Sequence, residues 1–376
     1  MRDSTMSNPD LDVVIVGAGA AGVGCGVVLR HLGIERFAIL ERHEVGGSFL
    51  RWPEEMRFIS PSFPSNGFGL LDLNAVALQT SPGYMLNREH PSGAEYAQYL
   101  QTVAKHFALP VRTGVDVRTV EPDSDGFVVH TSTGSVRTRF VIWAAGDFQY
   151  PKLYPFPGAE HCRHNAMIGS WREIEGNDAL VIGGYESGVD AAIGLAALGK
   201  RVRVIDSSPR WESVSPDPSH ALSPYTLQRL ERAHECSQIE LIGDARVTSV
   251  ERRGDGYSVS GDDGRTWIAS APPVLATGFT GSLDLISEHF DWADEGYALL
   301  TDEDESIRCP GLFVVGPNVQ HGSLILCFVY KFRQRFAVVA HAIGEQLGID
   351  TSVLEQYRAQ GMFLDDLSCC DDTCEC

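Results

Sequence analysis

One pattern occurs twice in this chain of 376 residues. An apolar strand runs into closely spaced glycines, which open an apolar helix that leads to a second strand ending on an acidic residue. The two copies are DVVIVGAGAAGVGCGVVLRHLGIERFAILE, residues 12–41, and DALVIGGYESGVDAAIGLAALGKRVRVID, residues 178–206. This order is typical of the dinucleotide-binding half of a Rossmann fold. The chain is therefore predicted to be an α/β protein with two Rossmann-like dinucleotide-binding domains.

The glycines of the first copy each have a physical role. Gly17 permits the tight turn, Gly19 lets the backbone approach a pyrophosphate, and Gly22 lets the helix pack closely on the strand. The helix N-terminus attracts the pyrophosphate charge. Glu41, at the end of the second strand, is placed to accept hydrogen bonds from ribose hydroxyls.

The second copy departs from the first in its glycine spacing. It reads G-G-x-x-x-G over Gly183, Gly184 and Gly188, which leaves one close-approach glycine fewer. Asp206 at the strand end favours a free ribose 2′-hydroxyl and hence NADH, whereas Arg201 and Arg210 favour the 2′-phosphate of NADPH. The choice between the two nicotinamide cofactors stays open, with the acid favouring NADH.

Charge argues against two classes of partner. The formal net charge is -20, which repels a nucleic-acid backbone and an anionic membrane surface alike. The N-terminus has no apolar stretch after its charges, and the longest apolar run, LILCFVY, is far too short to span a bilayer. We therefore expect a cytoplasmic protein with a small-molecule substrate, no nucleic-acid or membrane partner, and a homodimer as one compatible assembly.

Two dinucleotide folds, with the second inserted into the first, resemble the flavoproteins that use FAD and NAD(P)H and carry two dinucleotide-binding domains. The strand segment RFVIWAAGDFQYPKLYPFPG runs into prolines, which cannot continue a sheet and so predict a domain exit. The expected parts are 1–151 and 281–360 for a discontinuous FAD-binding domain, 152–280 for the inserted NAD(P)-binding domain, and 361–376 for an acidic, cysteine-rich tail.

This resemblance implies two sets of cofactor-binding residues. The FAD set is Gly17, Gly19, Ala20, Ala21, Gly22, Glu41, Arg42, Gly46, Gly47, Ser48, Ala145, Gly146, Gly316 and Pro317. The NAD(P) set is Gly183, Gly184, Glu186, Ser187, Gly188, Asp206, Ser207, Arg210, Thr277 and Gly278.

Two branches of the group are similar to different segments of the chain. GGSF after Glu41 and AAGDFQYPKLYPFPG resemble the flavin-containing and Baeyer–Villiger monooxygenases and bacterial proteins associated with metal resistance. VIGGYESGVDAA is similar to the bacillithiol disulfide reductases, within the branch that resembles thioredoxin reductase. The monooxygenase fingerprint Phe-x-Gly-x-x-x-His-x-x-x-aromatic is not matched, because its histidine position holds Met167 in one register and Cys162 in another.

A further departure concerns the closing flavin strand. In CPGLFVVGPNVQHG, Pro317 follows Gly316 where the family usually has aspartate, so the ribityl contact is expected from 318–321 or from backbone. The next segment, SLILCFVYKFRQRFAVVAHAIGEQL, has the apolar pattern of a helix. Its N-terminus would stabilise charge on reduced flavin. Lys331, Arg333 and Arg335 are expected to form its solvated face.

The last nine residues, SCCDDTCEC, concentrate the thiols of the chain. They hold four of its nine cysteines, Cys369, Cys370, Cys374 and Cys376. Carboxylates between them raise a thiol pKa and attract cations, and crowded thiolates suit Zn, Cu(I), Hg or trivalent arsenic. LSCC also resembles the terminal pair of mercuric reductases. Three interpretations stay open: a soft-metal or metalloid site, a redox shuttle, and a tail without chemical function.

Both cofactors imply hydride transfer from nicotinamide to flavin, and the electron acceptor is the open question. One hypothesis is a monooxygenase-like flavoprotein, with His321 and the SPSFPSNGFG loop lining the substrate pocket or serving only as turn residues. A second is a reductase of disulfides or thiol-bound metals that uses the tail cysteines. A third is a flavin-bound sensor that is not an enzyme. The segment that joins the two domains favours the first.

Overall fold

The computed structural model describes residues 9–63, 71–215, 217–235 and 238–367. The tail cysteines, and the PSNGFG part of the 60–69 loop, lie outside the described residues. The strands are β1 (Leu11–Val16), β2 (Phe37–Glu41), β3 (Val111–Thr113), β4 (Val117–Asp123), β5 (Gly126–Thr131), β6 (Gly134–Trp143), β7 (Arg163–His164), β8 (Asp178–Ile182), β9 (Arg201–Ile205), β10 (Ile239–Ile242), β11 (Val247–Arg253), β12 (Gly256–Gly261), β13 (Thr266–Ala269), β14 (Val274–Leu275), β15 (Leu312–Val314), β16 (Gln320–His321) and β17 (Leu324–Ile325).

The helices lie mainly between parallel strands. The α-helices are α1 (Ala20–His31), α2 (Pro82–Leu86), α3 (Gly93–His106), α4 (Glu186–Ala197), α5 (Pro224–Glu235), α6 (Val329–Phe332), α7 (Phe336–Leu347) and α8 (Glu355–Ala359). Short 3₁₀ helices span Phe49–Arg51, Ala159–His161, Asn165–Met167, Trp171–Glu173, Arg210–Glu212, Ser282–His289, Arg333–Arg335 and Ser352–Leu354.

The first sheet is built around the strand that opens the first glycine turn. Its order is β3-β2-β1-β6-β5-β4, and β15 also pairs with β6. The strands β1, β2, β3, β6 and β15 are parallel, while β4 and β5 add an antiparallel hairpin. Because β15 comes from a segment after the second glycine turn, this sheet is completed only when the chain returns from the other domain.

The second sheet contains the second glycine turn. Its order is β10-β9-β8-β14-β7, and all of its pairs are parallel. A separate antiparallel sheet, β11-β12-β13, packs on it through a shared apolar cluster. The prediction of an α/β protein with two Rossmann-like domains is confirmed by this arrangement and by the solved structures described below.

Two chain segments connect the domains, and they run side by side. The outgoing segment follows β6 and the returning one follows β14. Ser282 N donates to Gly146 O, at 3.1 Å, Thr280 N to Tyr150 O, at 2.9 Å, and Lys152 N to Gly278 O, at 3.1 Å. These bonds pair the outgoing and returning segments into a two-stranded link.

The helix that follows each glycine turn uses a glycine to admit an aromatic ring. A Cβ at Gly24 of α1 would lie 2.0 Å from the ring of Phe336, and a Cβ at Gly194 of α4 would lie 2.3 Å from Trp171. Both rings are completely buried. The small residues of these two helices therefore provide close packing that a larger side chain would block.

The predicted C-terminal helix begins later than the sequence pattern indicated. Where the pattern places the start of the helix, Leu324–Ile325 forms the second strand of a β-hairpin, β16–β17, and the helix begins only at Val329. The consecutive apolar residues LILCF fit both a strand and a helix, and backbone pairing of Gln320 with Ile325 decides for the strand.

The expected solvated face of Lys331, Arg333 and Arg335 is wrong. Arg335 is fully buried and Arg333 is 6% exposed. Arg335 Nε lies 2.8 Å from Asp304 Oδ2, and its Nη2 lies 3.0 Å from Asp304 Oδ1. Arg333 donates to the carbonyl oxygens of Asp72 and Ala75. Buried charges need such partners, and the sequence does not show them because they lie far away along the chain.

We predict that Arg335→Met destabilises the protein by about 3 to 5 kcal/mol, because it leaves the buried Asp304 carboxylate without its cation. Urea unfolding measures this change. The control is Arg308→Met, which removes an ion pair with Asp291 whose side chains are 58% and 54% exposed; its effect is expected to stay within about 0.5 kcal/mol. Equal unfolding midpoints for the two variants would show that the Arg335 pair does not hold this part of the fold together.

Candidate cofactor and active site

The first glycine turn has the geometry of a dinucleotide cradle. Gly17 has a φ of +99°, and a Cβ there would lie 2.6 Å from Ala144 O on the neighbouring strand. A Cβ at Gly22 would lie 1.9 Å from Gly17 O. A Cβ at Gly19, in contrast, would meet nothing within 4 Å. Packing thus requires glycine at positions 17 and 22, whereas Gly19 leaves free space next to the turn.

Glu41 connects the end of β2 to this turn. Its Oε2 accepts a hydrogen bond from Ala18 N, at 2.8 Å, and its Oε1 accepts one from His43 N, at 2.8 Å. The side chain is buried, and it lines the cavity beside the turn. A carboxylate held in this way has a fixed orientation, which suits recognition of a ribose diol.

A cavity of about 360 Å³ extends from the first glycine turn to the N-terminus of α4. Ten of the residues implied for FAD line it: Gly17, Gly19, Ala20, Ala21, Glu41, Gly47, Ser48, Ala145, Gly146 and Pro317. Gly22, Gly46 and Gly316 support the turn from behind, since Gly46 N donates to Ala18 O at 3.0 Å and a Cβ at Gly316 would lie 3.3 Å from Ala21 Cβ. The free space at Gly19 and the fixed acid fit FAD.

Arg42 lies in a second, smaller cavity of about 40 Å³, together with Asp116 and Tyr150. Gln149 lines both cavities. Its Oε1 accepts from Arg42 Nη2 at 2.8 Å, and its Nε2 donates to Ser48 Oγ at 3.0 Å. Gln149 was missed by sequence reasoning, although it follows directly on the Gly146 turn that was identified.

The second glycine turn repeats the first in detail. Gly183 has a φ of +105°, and a Cβ there would lie 2.2 Å from Ala276 O. A Cβ at Gly188 would lie 1.9 Å from Gly183 O. Asp206 caps this turn as Glu41 caps the first, with Oδ2 accepting from Gly184 N at 2.5 Å. The second turn and the acid that caps it thus have the geometry to bind a second dinucleotide. The residues concerned are Gly183, Gly184, Gly188 and Asp206.

The other residues implied for NAD(P) lie at different places. Glu186 and Ser187 line the main cavity. Ser207 is exposed beside Asp206, and Arg210 donates to His220 O at 3.0 Å. Thr277 has a buried Oγ1 without a hydrogen-bond partner among the described residues. Gly278 O accepts from His164 Nε2 at 3.0 Å.

His321 is not among the residues that line the cavity. Its Nε2 lies 2.6 Å from Oδ1 of Asp304, the fully buried partner of Arg335. His321 therefore belongs to this buried charge cluster and does not line the cavity, contrary to its candidate role as a pocket residue. The candidate catalytic and metal residues Cys369, Cys370, Cys374 and Cys376 lie outside the described residues. In the described part of the chain, no group of three or more His, Cys, Asp or Glu is arranged to hold a metal ion.

Three carboxyl groups line the cavity in addition to Glu41: those of Asp147, Glu186 and Asp190. Burial raises the pKa of each. Glu186 Oε2 accepts from Thr226 Oγ1 at 2.6 Å, and Asp190 Oδ1 lies 2.6 Å from Arg229 Nη1. Asp190 Oδ2 is buried and has no hydrogen-bond partner among the described residues. Burial thus raises the pKa of the carboxyl groups on this side of the cavity, and the Arg229 guanidinium partly offsets this effect at Asp190.

One thiol lies at the same cavity, that of Cys327. Its Sγ is 3.2 Å from Ser219 Oγ, and burial raises its pKa. Cys25 and Cys309 are buried in the core of the first domain. Cys327 could not be singled out from the sequence, because the cysteines nearest to it along the chain are Cys309 and Cys369.

The family model for pyridine nucleotide-disulphide oxidoreductases matches residues 14–316, which include both glycine turns. The chain belongs to this family. The resemblance to flavoproteins with two dinucleotide-binding domains is thereby confirmed, and the protein is an oxidoreductase that depends on FAD and NAD(P)H. In the part of the chain that is described, no helix is long and apolar enough to cross a membrane.

Two curated relatives illustrate the breadth of the family. The ferredoxin–NADP reductase of Lacticaseibacillus paracasei is 31% identical over 267 residues, which is 68% of this chain and 76% of the relative. The oxidoreductase CzcO of Bacillus velezensis is 27% identical over 194 residues, which is 49% of this chain and 52% of the relative. The match thus spans about half the length of CzcO.

Two solved structures show the same fold at low identity. The bacillithiol disulfide reductase Bdr (YpdA) of Staphylococcus aureus has a TM-score of 0.73 and 19% identity, covering 90% of this chain and 99% of that chain. The flavin-containing monooxygenase of Stenotrophomonas maltophilia has a TM-score of 0.70 and 17% identity, covering 90% of this chain and 100% of that chain. Both branches anticipated from the sequence therefore share the architecture.

We predict that Gly19→Val lowers the affinity for FAD by about ten-fold or more without unfolding the protein. The valine side chain enters space that is free in the structure, so it competes with the pyrophosphate and not with packing. Titration of the apoprotein with FAD, followed by flavin fluorescence, measures the dissociation constant. The control is Gly114→Asn at an exposed turn with a φ of +71°, where asparagine is tolerated. An unchanged FAD affinity in Gly19→Val would show that the first glycine turn does not bind the pyrophosphate of FAD.

We predict that Asp147→Asn changes the pH dependence of stability. Because burial raises the pKa of Asp147 in the folded state, the wild type loses stability as the pH rises from the unfolded-state pKa through the folded-state pKa. Asparagine does not titrate, so it removes this loss. The free energy of unfolding of the variant minus that of the wild type is therefore expected to be larger at pH 7 than at pH 4. Urea unfolding of the apoprotein at both values measures the gain, and the exposed Asp255→Asn is the control. A variant-minus-wild-type difference that is equal at both pH values would contradict the prediction.

Proposed function

We propose that the protein is a monooxygenase-like flavoprotein that uses NAD(P)H to oxidise a small molecule with molecular oxygen. The observation that carries the proposal is the wall of the cavity, which is aromatic and contains a single cysteine among the described residues. The proposal includes the cofactor residues assigned above and the domain boundaries at 151/152, 280/281 and 360/361.

The aromatic wall is continuous from the first domain to the linking segments. The ring centroids of Trp52 and Phe58 are 5.0 Å apart, and Trp52 lies 6.3 Å from Phe148. Phe148 in turn lies 5.6 Å from Phe279 on the returning link. Phe328 and Phe332 line the cavity as well. Such a wall excludes water, which protects oxygen chemistry from unproductive hydrolysis and proton leakage.

The carboxyl groups supply the proton balance of this reaction. Oxygen insertion consumes NAD(P)H, one proton and O₂, and it yields NAD(P)⁺, water and the oxygenated substrate. Asp147 and Asp190 line the cavity, and burial raises the pKa of each carboxyl group, while Arg229 partly offsets this effect at Asp190. Asp147, which lines the cavity beside the Gly146 turn, is the carboxyl group that we assign to exchange this proton. When bound, FAD supplies the electron transfer between NAD(P)H and oxygen.

A thiol relay finds less support. Transfer of two electrons to a disulfide normally needs a thiol pair or one activated thiolate near the flavin. Among the described residues Cys327 is the single thiol at the cavity. Its residue is exposed, and desolvation still raises the pKa of its thiol, which disfavours the thiolate. Reduction of disulfides or thiol-bound metals through the tail cysteines is the second candidate. It is supported by the similarity in fold to the bacillithiol disulfide reductase of Staphylococcus aureus. The sensor hypothesis is the third, and it requires that NAD(P)H fail to reduce the flavin.

We predict that NAD(P)H reduces the bound flavin anaerobically and that oxygen reoxidises it equally fast in wild type and in Cys327→Ser, because no thiol takes part. Stopped-flow absorbance of the flavin measures both steps. Cys309→Ser, at a buried site away from the cavity, is the matched control. The same measurement on a chain truncated after Leu367 tests the tail.

Substrate identification uses a coupling ratio. A true substrate lowers the amount of hydrogen peroxide released per NAD(P)H consumed, because oxygen is inserted instead. A panel of small amines, sulfides and ketones serves as the probe. The proposal is refuted if disulfides or metal ions, and not oxygen, accept electrons in a way that Cys327→Ser or the truncation abolishes. It is refuted equally if NAD(P)H leaves the flavin oxidised, which is the outcome expected for a sensor.

A further inference from the structure

The two glycine turns differ at one position although their backbones agree. Gly19 and Tyr185 are the residues that precede α1 and α4, and they occupy the same position in the two turns. Their φ and ψ angles are −79° and −165° for Gly19, and −97° and −165° for Tyr185. Both sites therefore present the same backbone conformation to a dinucleotide. The first site has no side chain at this position, because the residue is Gly19, and the second has the phenol side chain of Tyr185.

The side chain of Tyr185 starts in the space that the first site leaves open. A Cβ at Gly19 would have no heavy atom within 4 Å, and this free space is where the pyrophosphate approaches the helix N-terminus. At the second site, Tyr185 extends its ring from this point, and its hydroxyl donates a hydrogen bond to Pro218 O. The ring is partly buried against the apolar cluster of the domain.

The 217–219 loop that receives Tyr185 is fixed to the other domain. Lys331 Nζ, on α6, lies 2.5 Å from Asp217 Oδ1 and 2.8 Å from Ser219 Oγ. The Lys331 side chain is only 12% exposed, so this ion pair is not fully screened by solvent. Tyr185, the loop and α6 thus form a chain of contacts from the second glycine turn to the wall of the flavin cavity.

Trp211 also covers the second turn, but from a different side. A Cβ at Gly184 would lie 2.0 Å from the Trp211 ring and 3.0 Å from Asp206 Cβ. Gly184 corresponds to Ala18 in the first turn, where the methyl group is completely buried. Trp211 therefore fills a packing position behind the turn, and Tyr185 alone of these two residues stands on the approach side.

We propose that Tyr185 determines how tightly the nicotinamide dinucleotide binds. The Tyr185 side chain starts at the position that is open at Gly19, and its hydroxyl is held by Pro218 O, so the dinucleotide binds when Tyr185 leaves Pro218. The affinity is then reduced by the fraction of molecules in which the approach is open. Because Lys331 holds the loop in place, the same displacement is opposed by the ion pair between the domains.

The substitution Tyr185→Gly completes the G-x-G-x-x-G fingerprint with Gly183 and Gly188. The fold should accept it, since glycine already adopts this backbone conformation at Gly19. We expect the dissociation constants of NAD⁺ and of ADP-ribose to fall by about ten-fold. Isothermal titration calorimetry of the FAD-loaded protein measures both, and thermal unfolding checks that each variant is folded. The exposed Tyr154→Gly, 74% exposed, is the matched control.

Two further variants separate the ring from its hydrogen bond. Tyr185→Phe keeps the ring and loses the bond to Pro218, so we expect a smaller gain in affinity than for Tyr185→Gly. Lys331→Met releases the loop and should shift the affinity in the same direction. Unchanged or weaker binding in Tyr185→Gly would overturn the proposal, and unchanged binding in Lys331→Met would overturn its link to the other domain.

The proposal rests on NAD(P)H as the reductant and not on the electron acceptor. Calorimetry of the oxidised protein reports only dinucleotide binding, so its result stands whether or not oxygen insertion is observed. In steady-state assays, the same inference predicts a lower KM for NAD(P)H in Tyr185→Gly, with kcat changed less than KM. A variant that lost kcat at constant KM would show that Tyr185 acts on the chemistry, which also contradicts the proposal.

Discussion

The approach of helix to strand at each glycine turn is the constraint on which the structure depends. A Cβ on Gly22 or Gly188 would come within 1.9 Å of a turn carbonyl, so only glycine lets α1 and α4 start where they do. That placement brings both helix N-termini to the edge of one cavity. The cavity therefore exists because two pairs of glycines permit backbone contacts that no other residue allows.

The sequence was sufficient to predict the fold class, both turns and their acids, because these features are local. Strand, turn and helix lie within about thirty residues, and the periodicity of each element is visible in the chain. The family assignment of residues 14–316 confirms this part. The start of the C-terminal helix was less predictable, because an apolar run such as LILCF fits both a strand and a helix until its pairing partner is known.

The cavity wall was harder to foresee because it is assembled from distant segments. Phe58, Phe148, Phe279 and Phe328 come from four parts of the chain, and no spacing rule connects them. Burial of Arg333 and Arg335 has the same origin, since their partners lie at Asp72 and Asp304. A charged residue on a helix is normally exposed unless a partner distant in the chain pairs with it inside the protein. Asp304 is such a partner for Arg335.

The paired link between the domains has a mechanical consequence. Hydrogen bonds between the outgoing and returning segments, including Ser282 N to Gly146 O, make the connection a ribbon. Two-stranded ribbons are more strongly twisted than wider sheets. Gly146 and Phe279, which lie on the two segments of this ribbon, also line the cavity. A change in the twist of the ribbon would therefore reshape the cavity wall, so the connection between the domains is also part of the candidate site.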